Sequence, residues 1–280
     1  MVRIITDTTA VLSQNITEEY QIVVVPQLIH FGTDTFIEGK DIDHESFLQR
    51  LKSSSTLPKT AAPPPDLFTE HFRGILEKDD HILCIHPSTA LSGTVRSATV
   101  ASQDFPRANI RVLDTRLIAS PLGTVVHQAA VWAEQGMSLD TIYEKAHSLS
   151  KQADIYFLVA TLDYLARGGR IGGASAFIGN ALKLKPILTL ENGSVEPFGK
   201  ERTIKRALQR ITDIVCSAYP AHNEGHLSIM HADVPDQAQA LSETFQHRLG
   251  ISPPRISPLP PAIVTHAGPG ALAVGFFNTG

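Results

Sequence analysis

The sequence predicts an α/β protein with two domains, and three observations support this prediction. The chain has 280 residues, which is more than one domain usually contains. Hydrophobic residues make up 42% and charged residues 19% of it, a composition typical of a globular protein with a substantial core. Short apolar runs alternate with segments whose apolar residues recur every three or four positions, as expected where helices cover a sheet.

The first half is predicted to form an N-terminal α/β domain over residues 1–152. Short apolar runs predict strands at 2–6, 22–25, 82–86 and 110–114. Amphipathic spacing predicts helices at 47–51, 67–76, 95–101 and 125–132. A small hairpin is expected at 36–41, before a helix capped by Asp43 with Ser46 in its first turn. This order favours a mostly parallel sheet with helices on both faces.

The second half is predicted to form a C-terminal mixed α/β domain over residues 153–280, beginning with a strand at 155–159. Strands at 186–190 and 195–198 flank Asn192 and Gly193, a pair that supplies the positive φ angles of a tight hairpin turn. The remaining elements are predicted as a helix at 203–218, a strand at 227–231, a helix at 236–249 and a strand at 262–265.

Charge and cysteine content narrow the classes of function. The net charge of -4 gives no global reason to bind nucleic acid or an anionic membrane. No apolar run approaches the roughly 20 residues of a membrane span. Cys84 and Cys216 lie in apolar runs without CxxC spacing, which indicates buried, reduced thiols. The first residues predict a strand and contain no signal-peptide core, so we expect a cytoplasmic protein.

Common marks of catalysis and cofactor binding are missing. The sequence has no P-loop, no Gly-x-Ser-x-Gly elbow and no HExxH. His222 and His226 are four apart, but Gly225 argues against a helix that would place both on one face, so no metal site is expected. Gly268 and Gly270 match part of the dinucleotide-binding motif G-x-G-x-x-A. Too few residues follow them for a βαβ unit, so we expect no nucleotide cofactor.

Several polar residues follow predicted strands, where ligands collect at the carboxyl edge of an α/β sheet. Asp7 follows the first strand and Asp114 ends another. The loop at 88–94 opens a helix, and its free N–H groups favour an anion at residues 92–94, namely Ser92, Gly93 and Thr94. The alternative is that Ser92 or Thr94 is an ordinary N-cap.

Thr60 lies in an extended, proline-rich segment at 57–65. A stiff arm of this kind could present the Thr60 hydroxyl to a ligand head group. A simple linker would have a similar composition, and propensity does not distinguish the two.

Four glycines surround Arg170 within residues 168–173, which permits close approach of the backbone to a ligand or to a neighbouring segment. A helix C-cap followed by a tight loop is the alternative. His266, at the end of the strand predicted at 262–265, is interpreted as a hydrogen-bond donor or proton-sensitive group near an anion, or as a histidine that satisfies local backbone.

Seven motifs in a fixed order span nearly the whole chain. They are Thr6-Asp7-Thr8, Glu38-Gly39-x-Asp41, Lys59-Thr60, Leu91-Ser92-Gly93-Thr94, Gly168-Gly169-Arg170-Ile171, Lys185-Pro186-Ile187-Leu188 and His266-x-Gly268-Pro269-Gly270. Together they resemble the DegV family of bacterial fatty-acid-binding proteins, and the combination is far more specific than any single motif.

The resemblance implies two α/β domains with a long-chain fatty acid held between them and its tail in an apolar tunnel. By motif position, Thr60 and Ser92 would bind the carboxylate, with Gly93 and Thr94 completing the loop. Arg170, Arg202 and His266 would surround the exposed head group. The resemblance further implies a lipid carrier, without a cofactor or catalytic residues, that presents the acid to a fatty acid kinase for acyl-phosphate formation, a step toward phospholipid.

The chain departs from the family pattern at one point. The family commonly has Thr-Ser-Gln-Pro where this sequence has Thr60-Ala61-Ala62-Pro63, so two polar side chains are replaced by methyl groups. The Thr60 hydroxyl remains, and we expect carboxylate binding to be retained while the shape and acyl preference of the pocket differ.

Two other functions are compatible with the residues. An enzyme acting on an acyl or sugar phosphate, a phosphotransferase or a hydrolase, could use Asp7, His86 or His266 near strand ends. A regulatory or interaction module could hold a lipid that is only structural and does not exchange.

Overall fold

The computed structural model describes residues 1–54, 56–78, 80–178, 184–220 and 225–278, and these form two compact units. The first unit comprises Met1–Asp43 and Ser54–Lys151, and the second comprises His44–Ser53 and Gln152–Gly280. The helix at His44–Ser53 therefore belongs with the second unit, although the sequence places it in the first domain. Phe47, Leu48 and Leu51 are buried along one face of this helix.

The elements up to residue 151 follow the predicted alternation of strands and helices. They are β1 (Val2–Asp7), a 3-10 turn (Thr8–Ala10), α1 (Gln14–Glu19), β2 (Val23–Val25), β3 (Leu28–Phe31), β4 (Asp34–Ile37), α2 (His44–Ser53), β5 (Lys59–Ala61), α3 (Pro65–Leu76), β6 (His81–His86), α4 (Thr94–Ser102), β7 (Ile110–Asp114), α5 (Ala119–Glu134) and α6 (Leu139–Ser150).

The first unit contains a four-stranded sheet in the order β2-β1-β6-β7, in which every pairing is parallel. Apolar side chains alternate across it: Ile5 and Cys84 pack with Phe68 and Phe72 of α3, while α5 contacts β1 and α6 contacts β6 and β7. The predicted parallel sheet with helices is confirmed. Burial raises the pKa of the Cys84 thiol well above its usual value, which fits its expected role as a small apolar side chain.

A second, antiparallel sheet in this unit has the order β4-β3-β5. The hairpin predicted at 36–41 instead joins β3 and β4, with its turn at Gly32, where φ is +59°. The prediction was wrong because Gly32-Thr33 is a weaker turn signal than Asn-Gly, and β3 lies only two residues beyond β2.

The remaining elements form the second unit together with α2. They are β8 (Ala153–Leu158), α7 (Asp163–Arg167), a 3-10 helix (Gly172–Phe177), β9 (Lys185–Glu191), β10 (Ser194–Glu201), α8 (Ile204–Ala218), β11 (Ser228–His231), α9 (Pro235–Leu249), β12 (Arg255–Pro258), α10 (Pro261–Ala267) and β13 (Leu272–Phe277).

These strands form a six-stranded mixed sheet in the order β10-β9-β8-β13-β11-β12. Only the pairing of β11 with β12 is parallel. The hairpin of β9 and β10 is confirmed, with φ of 50° at Asn192 and 82° at Gly193. Apolar residues of α8 and α9, among them Ile211, Val215 and Phe245, cover the sheet and form its core with Ile229 and Phe276.

One prediction in the second unit was wrong. Residues 262–265 belong to helix α10, which starts with Pro260 at its N-cap and Pro261 at its first position; proline is compatible with that position because its N–H would have no partner there. The strand follows at β13, whose residues are all buried. Because β13 lies inside the sheet, it lacks the polar alternation that marks a half-exposed strand.

In the described ranges, no helix combines the length and the apolar character needed to cross a membrane.

Candidate functional site

The parallel strands of the first unit bring two ionisable side chains together at the carboxyl edge of the sheet. Asp7 ends β1 and His86 ends the neighbouring β6. His86 Nδ1 lies 2.9 Å from Asp7 Oδ2, and both side chains are fully buried. Because buried charges need partners, this pair depends on the other polar groups around it.

The Asp7 carboxylate is held by three further hydrogen bonds. Its Oδ1 accepts from the backbone N–H of Thr9 at 3.0 Å and from the Thr9 hydroxyl at 2.5 Å. It also accepts from Gln27 Nε2 at 3.1 Å. With the bond to His86, the carboxylate accepts from four donors, which satisfies its oxygens inside the protein.

Gln27 connects this carboxylate to the loop that precedes α4. Its Nε2 lies 3.0 Å from Thr94 Oγ1, and Thr94 Oγ1 lies 2.7 Å from Ser92 Oγ. The backbone N–H of Thr94 also donates to Ser92 Oγ at 3.3 Å. We call Asp7, Gln27, His86, Ser92 and Thr94 the carboxyl-edge cluster.

The bond to Asp7 determines the tautomer of His86. A carboxylate can only accept, so His86 Nδ1 carries a proton and donates it to Asp7. Nε2 is buried and has no hydrogen-bond partner within the described part of the chain. The ring lies edge-on to Phe68 at 5.3 Å between centroids, so its surroundings on that side are apolar.

The loop before α4 is held in shape by its own polar groups and by β7. Ser88 accepts at its carbonyl from the N–H groups of Leu91 and Ser92, both at 2.9 Å. Asp114, the last residue of β7, accepts from the Thr89 hydroxyl at 2.7 Å. The convergence of Asp7, His86 and Asp114 at one sheet edge, expected from the sequence, is therefore observed.

The N-cap alternative for Ser92 and Thr94 is wrong. The N-cap residue of α4 is Gly93, which has no side chain to contribute, and Thr94 is the first helical residue. Thr94 is fully buried, whereas Ser92 is half-buried. Ser92 is thus the hydroxyl of the cluster that a molecule arriving from outside could reach.

Thr60 lies in β5 rather than in a free linker. Its backbone pairs with Ile29 of β3, and its side chain is half-buried. The chain then passes Gly93: a Cβ added at Gly93 would lie 3.5 Å from the Cβ of Ala62. The segment carrying Thr60 and the loop carrying Ser92, Gly93 and Thr94 are therefore neighbours within the first unit.

The glycine-rich segment in the second unit packs against its own unit. Gly168 is the C-cap of α7, and Gly169 has a φ of +71°, as at many helix ends. A Cβ at Gly172 would lie 2.1 Å from the carbonyl oxygen of Val195 in β10. These glycines thus form the C-cap and close approach that the sequence left as alternatives to ligand binding.

Arg170 and His266 lie close together in the second unit. Arg170 donates to the carbonyl of Gly168 at 2.6 Å, and a Cβ at Gly168 would lie 2.1 Å from His266 Nδ1. Burial, reinforced by the charge of Arg170, lowers the pKa of His266 to about 4. His266 is in the last turn of α10, not at the end of a strand as predicted, and it is neutral at neutral pH.

Arg202 is exposed between β10 and α8, one residue before Thr203, which caps α8 by accepting from the N–H of Arg206. Arg202, Arg170 and His266 all belong to the second unit. Their proposed joint action on a head group stays a prediction.

No group of three or more metal-ligating side chains occurs within the described ranges. His222 lies outside these residues, so the structure does not describe the pair of His222 and His226.

Sequence reasoning missed Gln27, the residue that joins Asp7 to the loop. Gln27 follows β2 at the same sheet edge as Asp7 and His86, so its position after a predicted strand was an available signal. A glutamine alone after a proline carries no motif, and its two partners are distant in sequence.

Comparison with known proteins gives consistent results over the whole length. Residues 1–279 match the family described as an uncharacterised protein, DegV family. A DegV domain-containing protein of Streptomyces coelicolor is 38% identical over 275 residues, covering 98% of this chain and 97% of that protein.

Solved structures extend the similarity. A DegV family protein of Thermus thermophilus, described as binding fatty acid, has 32% identity and a TM-score of 0.90, covering 99% of both chains. DegV of Bacillus subtilis, described as a fatty acid binding protein, has 30% identity and a TM-score of 0.89, again covering 99% of both chains.

Proposed function

The chain belongs to the DegV family, and from that premise we propose that it binds a long-chain fatty acid and presents it to a fatty acid kinase for acyl-phosphate formation. Two similar proteins of known structure, from Thermus thermophilus and Bacillus subtilis, are described as binding fatty acid. The observation in this chain that carries the proposal is the half-buried Ser92 hydroxyl, held by Thr94 and adjacent to the segment that carries Thr60.

We assign the carboxylate to the hydroxyls of Thr60 and Ser92, with Gly93 and Thr94 shaping the loop. A carboxylate is an acceptor-only group, and hydrogen bonds from hydroxyl or N–H donors to it are shorter and stronger than bonds between neutral groups. Gly93 is exposed and has no side chain between solvent and the N-terminus of α4. A helix N-terminus favours an anion through its free N–H groups.

The acyl chain supplies most of the binding free energy in this proposal. Each methylene removed from water contributes about 0.8 kcal/mol, so a chain of about fifteen methylenes outweighs one or two hydrogen bonds. The head-group contacts then determine orientation and selectivity for an acid, whereas the tail determines strength. Ala61 and Ala62, in place of the polar pair common in the family, add apolar surface beside Thr60.

His266 is proposed as a further contact to the lipid head group, and Arg170 and Arg202 as contacts to the kinase or to the phosphate. A guanidinium binds phosphate oxygens in a bidentate manner. His266 is neutral at neutral pH because of its lowered pKa, so it would act as a hydrogen-bonding group and not as a cation. We propose no cofactor and no metal for this function.

In this proposal the chemistry belongs to the kinase, and the protein is a carrier. Asp7 and His86, the residues that an enzyme could use, are fully buried. The Asp7 carboxylate already accepts four hydrogen bonds. These groups are therefore arranged for support of the loop more than for attack on a substrate. We propose that the carrier acts in the cytoplasm.

Native mass spectrometry of gently purified protein tests the function. We expect a mass increment that corresponds to one fatty acid, released and identified after denaturation in organic solvent. The isolated protein should not turn over acyl phosphates. Protein that is uniformly empty and fails to bind added fatty acids would contradict the proposal.

A further inference from the structure

The carboxyl-edge cluster contains a chain of hydrogen bonds whose direction can be deduced from chemistry alone. We propose that Asp7 and Gln27, although they do not touch the ligand, are positioning residues that orient the Ser92 hydroxyl as a hydrogen-bond donor and so select a carboxylate. This inference rests on the proposed function, because it concerns the head group of the same ligand.

The direction begins at Asp7. Gln27 Nε2 carries two protons and no acceptor lone pair, and it lies 3.1 Å from Asp7 Oδ1 and 3.0 Å from Thr94 Oγ1. The opposite amide orientation would place Gln27 Oε1 against the carboxylate, an acceptor against an acceptor. Asp7 therefore fixes the amide, and both of its N–H groups donate, one of them to Thr94.

The Thr94 hydroxyl accepts one hydrogen bond and donates the next one along the chain of bonds. It accepts from Gln27, and its own proton needs an acceptor because the side chain is fully buried. Within the described part of the chain, Ser92 Oγ at 2.7 Å is the one acceptor recorded for it. Thr94 therefore donates to Ser92.

Ser92 receives two hydrogen bonds and keeps its proton. Its Oγ accepts from the Thr94 hydroxyl and from the Thr94 backbone N–H at 3.3 Å. Both lone pairs are then occupied, and the remaining hydrogen-bonding capacity of the half-buried side chain is one O–H donor. A donor matches a carboxylate, which accepts only.

The position of Gln27 is itself fixed by its backbone. Its N–H donates to Thr8 Oγ1 at 3.2 Å, and its carbonyl accepts from the N–H of Glu38 at 3.0 Å. The Thr8 hydroxyl donates to the Glu38 carboxylate. These bonds hold the backbone of Gln27 in place, and its side-chain amide is held by Asp7 and Thr94.

Gln27→Glu reverses the relay with little change in shape. Beside Asp7 the new carboxyl group is expected to be protonated, because two neighbouring carboxylates disfavour double ionisation. The oxygen that replaces Nε2 faces both Asp7 and Thr94. It donates its single proton to Asp7 and accepts from Thr94 through a lone pair. If the group is ionised instead, it also accepts from Thr94. In either state Thr94 no longer donates to Ser92, and the Ser92 proton turns inward.

The test compares the affinities of hexadecanoic acid and 1-hexadecanol, measured by displacement of a fluorescent fatty acid from the full chain. An alcohol both donates and accepts, so it tolerates either orientation of Ser92. We expect Gln27→Glu to weaken the acid about tenfold and the alcohol less than about threefold. We expect Gln27→Glu combined with Thr94→Val to regain most of the acid affinity, because the reversed relay no longer reaches Ser92.

Thr94→Val alone keeps the proposal testable if Gln27→Glu does not fold. It removes the donor to Ser92 but leaves the Ser92 proton available, so we expect the acid to weaken less than about threefold. Thr6→Val is the matched control, since Thr6 is a buried threonine that donates to the carbonyl of Ile85 outside the cluster. This control measures how much the loss of a buried hydroxyl by itself changes the ratio of the affinities for hexadecanoic acid and 1-hexadecanol.

Three results would overturn the inference while leaving fatty acid binding intact. They are unchanged acid affinity in Gln27→Glu, equal weakening of acid and alcohol in that variant, and loss of acid binding in Thr94→Val as large as in Ser92→Ala. Failure of the unmodified protein to bind the acid at all would instead refute the proposed function.

Discussion

At the scale of single residues, the proposed selection of a carboxylate depends on which atoms can donate a hydrogen bond and which can only accept one. Ser92 is half-buried and receives two hydrogen bonds from Thr94. Gln27 and Asp7 lie on the inner side of the cluster, and both are buried. Among the described residues of the carboxyl-edge cluster, His86 Nε2 has no hydrogen-bond partner. Asp7, Gln27 and Thr94 satisfy one another, and the proton of Ser92 is available to a ligand.

Ser92→Ala should weaken hexadecanoic acid binding by about tenfold or more, because a hydrogen bond to a charged group contributes roughly 1.5–3 kcal/mol. Titration of the purified variant with the acid measures the change. Ser97→Ala, in the same helix region but outside the carboxyl-edge cluster, is the control and should bind normally. Equal affinities of the Ser92 variant and the unmodified protein would remove Ser92 from the head-group site.

His266 should make the free energy of unfolding depend on pH below neutrality. Burial and Arg170 lower its pKa in the folded state to about 4, whereas an unfolded histidine titrates near 6.5. Between these values the unfolded chain binds more protons, so stability falls as the pH falls from 6.5 toward 4. The full shift corresponds to roughly 3 kcal/mol.

Urea unfolding of the native chain and of His266→Gln, at several pH values from 7 to 4, measures this contribution. We expect the difference in stability between the two to move in favour of the variant as the pH falls. Parallel curves across the whole range would show that His266 titrates normally in the folded protein.

At the scale of elements, close backbone approach explains where glycine is required. Gly123 lies in α5, and a Cβ there would be 2.1 Å from the carbonyl oxygen of Ala10. Gly74 lies in α3, and a Cβ there would meet nothing within 4 Å. The same substitution is therefore expected to have opposite effects in the two helices.

Gly123→Ala should destabilise the protein by about 1–3 kcal/mol, because backbone atoms must move apart to admit the methyl group. Gly74→Ala should stabilise it by about 0.5–1 kcal/mol, since alanine loses less conformational entropy in a helix. Chemical denaturation of both variants measures the two values. Destabilisation of equal size in both would contradict the packing of α5 against the turn that follows β1.

The elements that sequence could predict are those with a local signal. The Asn192-Gly193 turn, the amphipathic helix α8 and the strands β1, β6 and β7 each carry such a signal. Strand β13 carries no such signal, because it is buried on both faces and its apolar residues do not alternate with polar ones. A run of prolines is typical of turns and loops, but Pro260 and Pro261 begin helix α10.

The residues of the candidate site also differ in how far the sequence could predict them. Thr60, Ser92 and Thr94 could be selected from motif order, and their positions on neighbouring segments of the first unit are observed. For Gln27 the sequence offers only its position after a predicted strand, because its role arises from contacts with Asp7 and Thr94, which are 20 and 67 positions away in sequence. Long-range hydrogen bonds between unremarkable polar residues leave no pattern in a single sequence.

At the scale of the whole molecule, the two units carry different chemistry. The first unit contains the hydroxyls of the carboxyl-edge cluster, which suit a carboxylate. The second unit carries exposed basic side chains where β10 meets α8, among them Lys200, Arg202 and Lys205. Binding of the acid and contact with a kinase are therefore expected to be separable by mutation.

Arg170→Ala and Arg202→Ala should each lower the rate of acyl-phosphate formation with the kinase by about tenfold while changing fatty acid affinity less than about threefold. The reason is that, in the proposed function, these cations contact the partner or the phosphate and not the acyl chain. Coupled kinase assays and direct titration measure the two quantities. Arg73→Ala, an exposed arginine of α3, is the control. Loss of lipid affinity with normal turnover would contradict this assignment.

The most direct test of the central claim is a crystal structure of the protein with hexadecanoic acid bound. The quantity to measure is the distance from the ligand carboxylate to Ser92 Oγ. We predict about 2.5–2.8 Å, the length of a hydroxyl-to-carboxylate hydrogen bond, with Gln27 still between Asp7 and Thr94. A carboxylate bound away from Ser92 and Thr60, with the Ser92 hydroxyl facing inward to Thr94, would contradict the account.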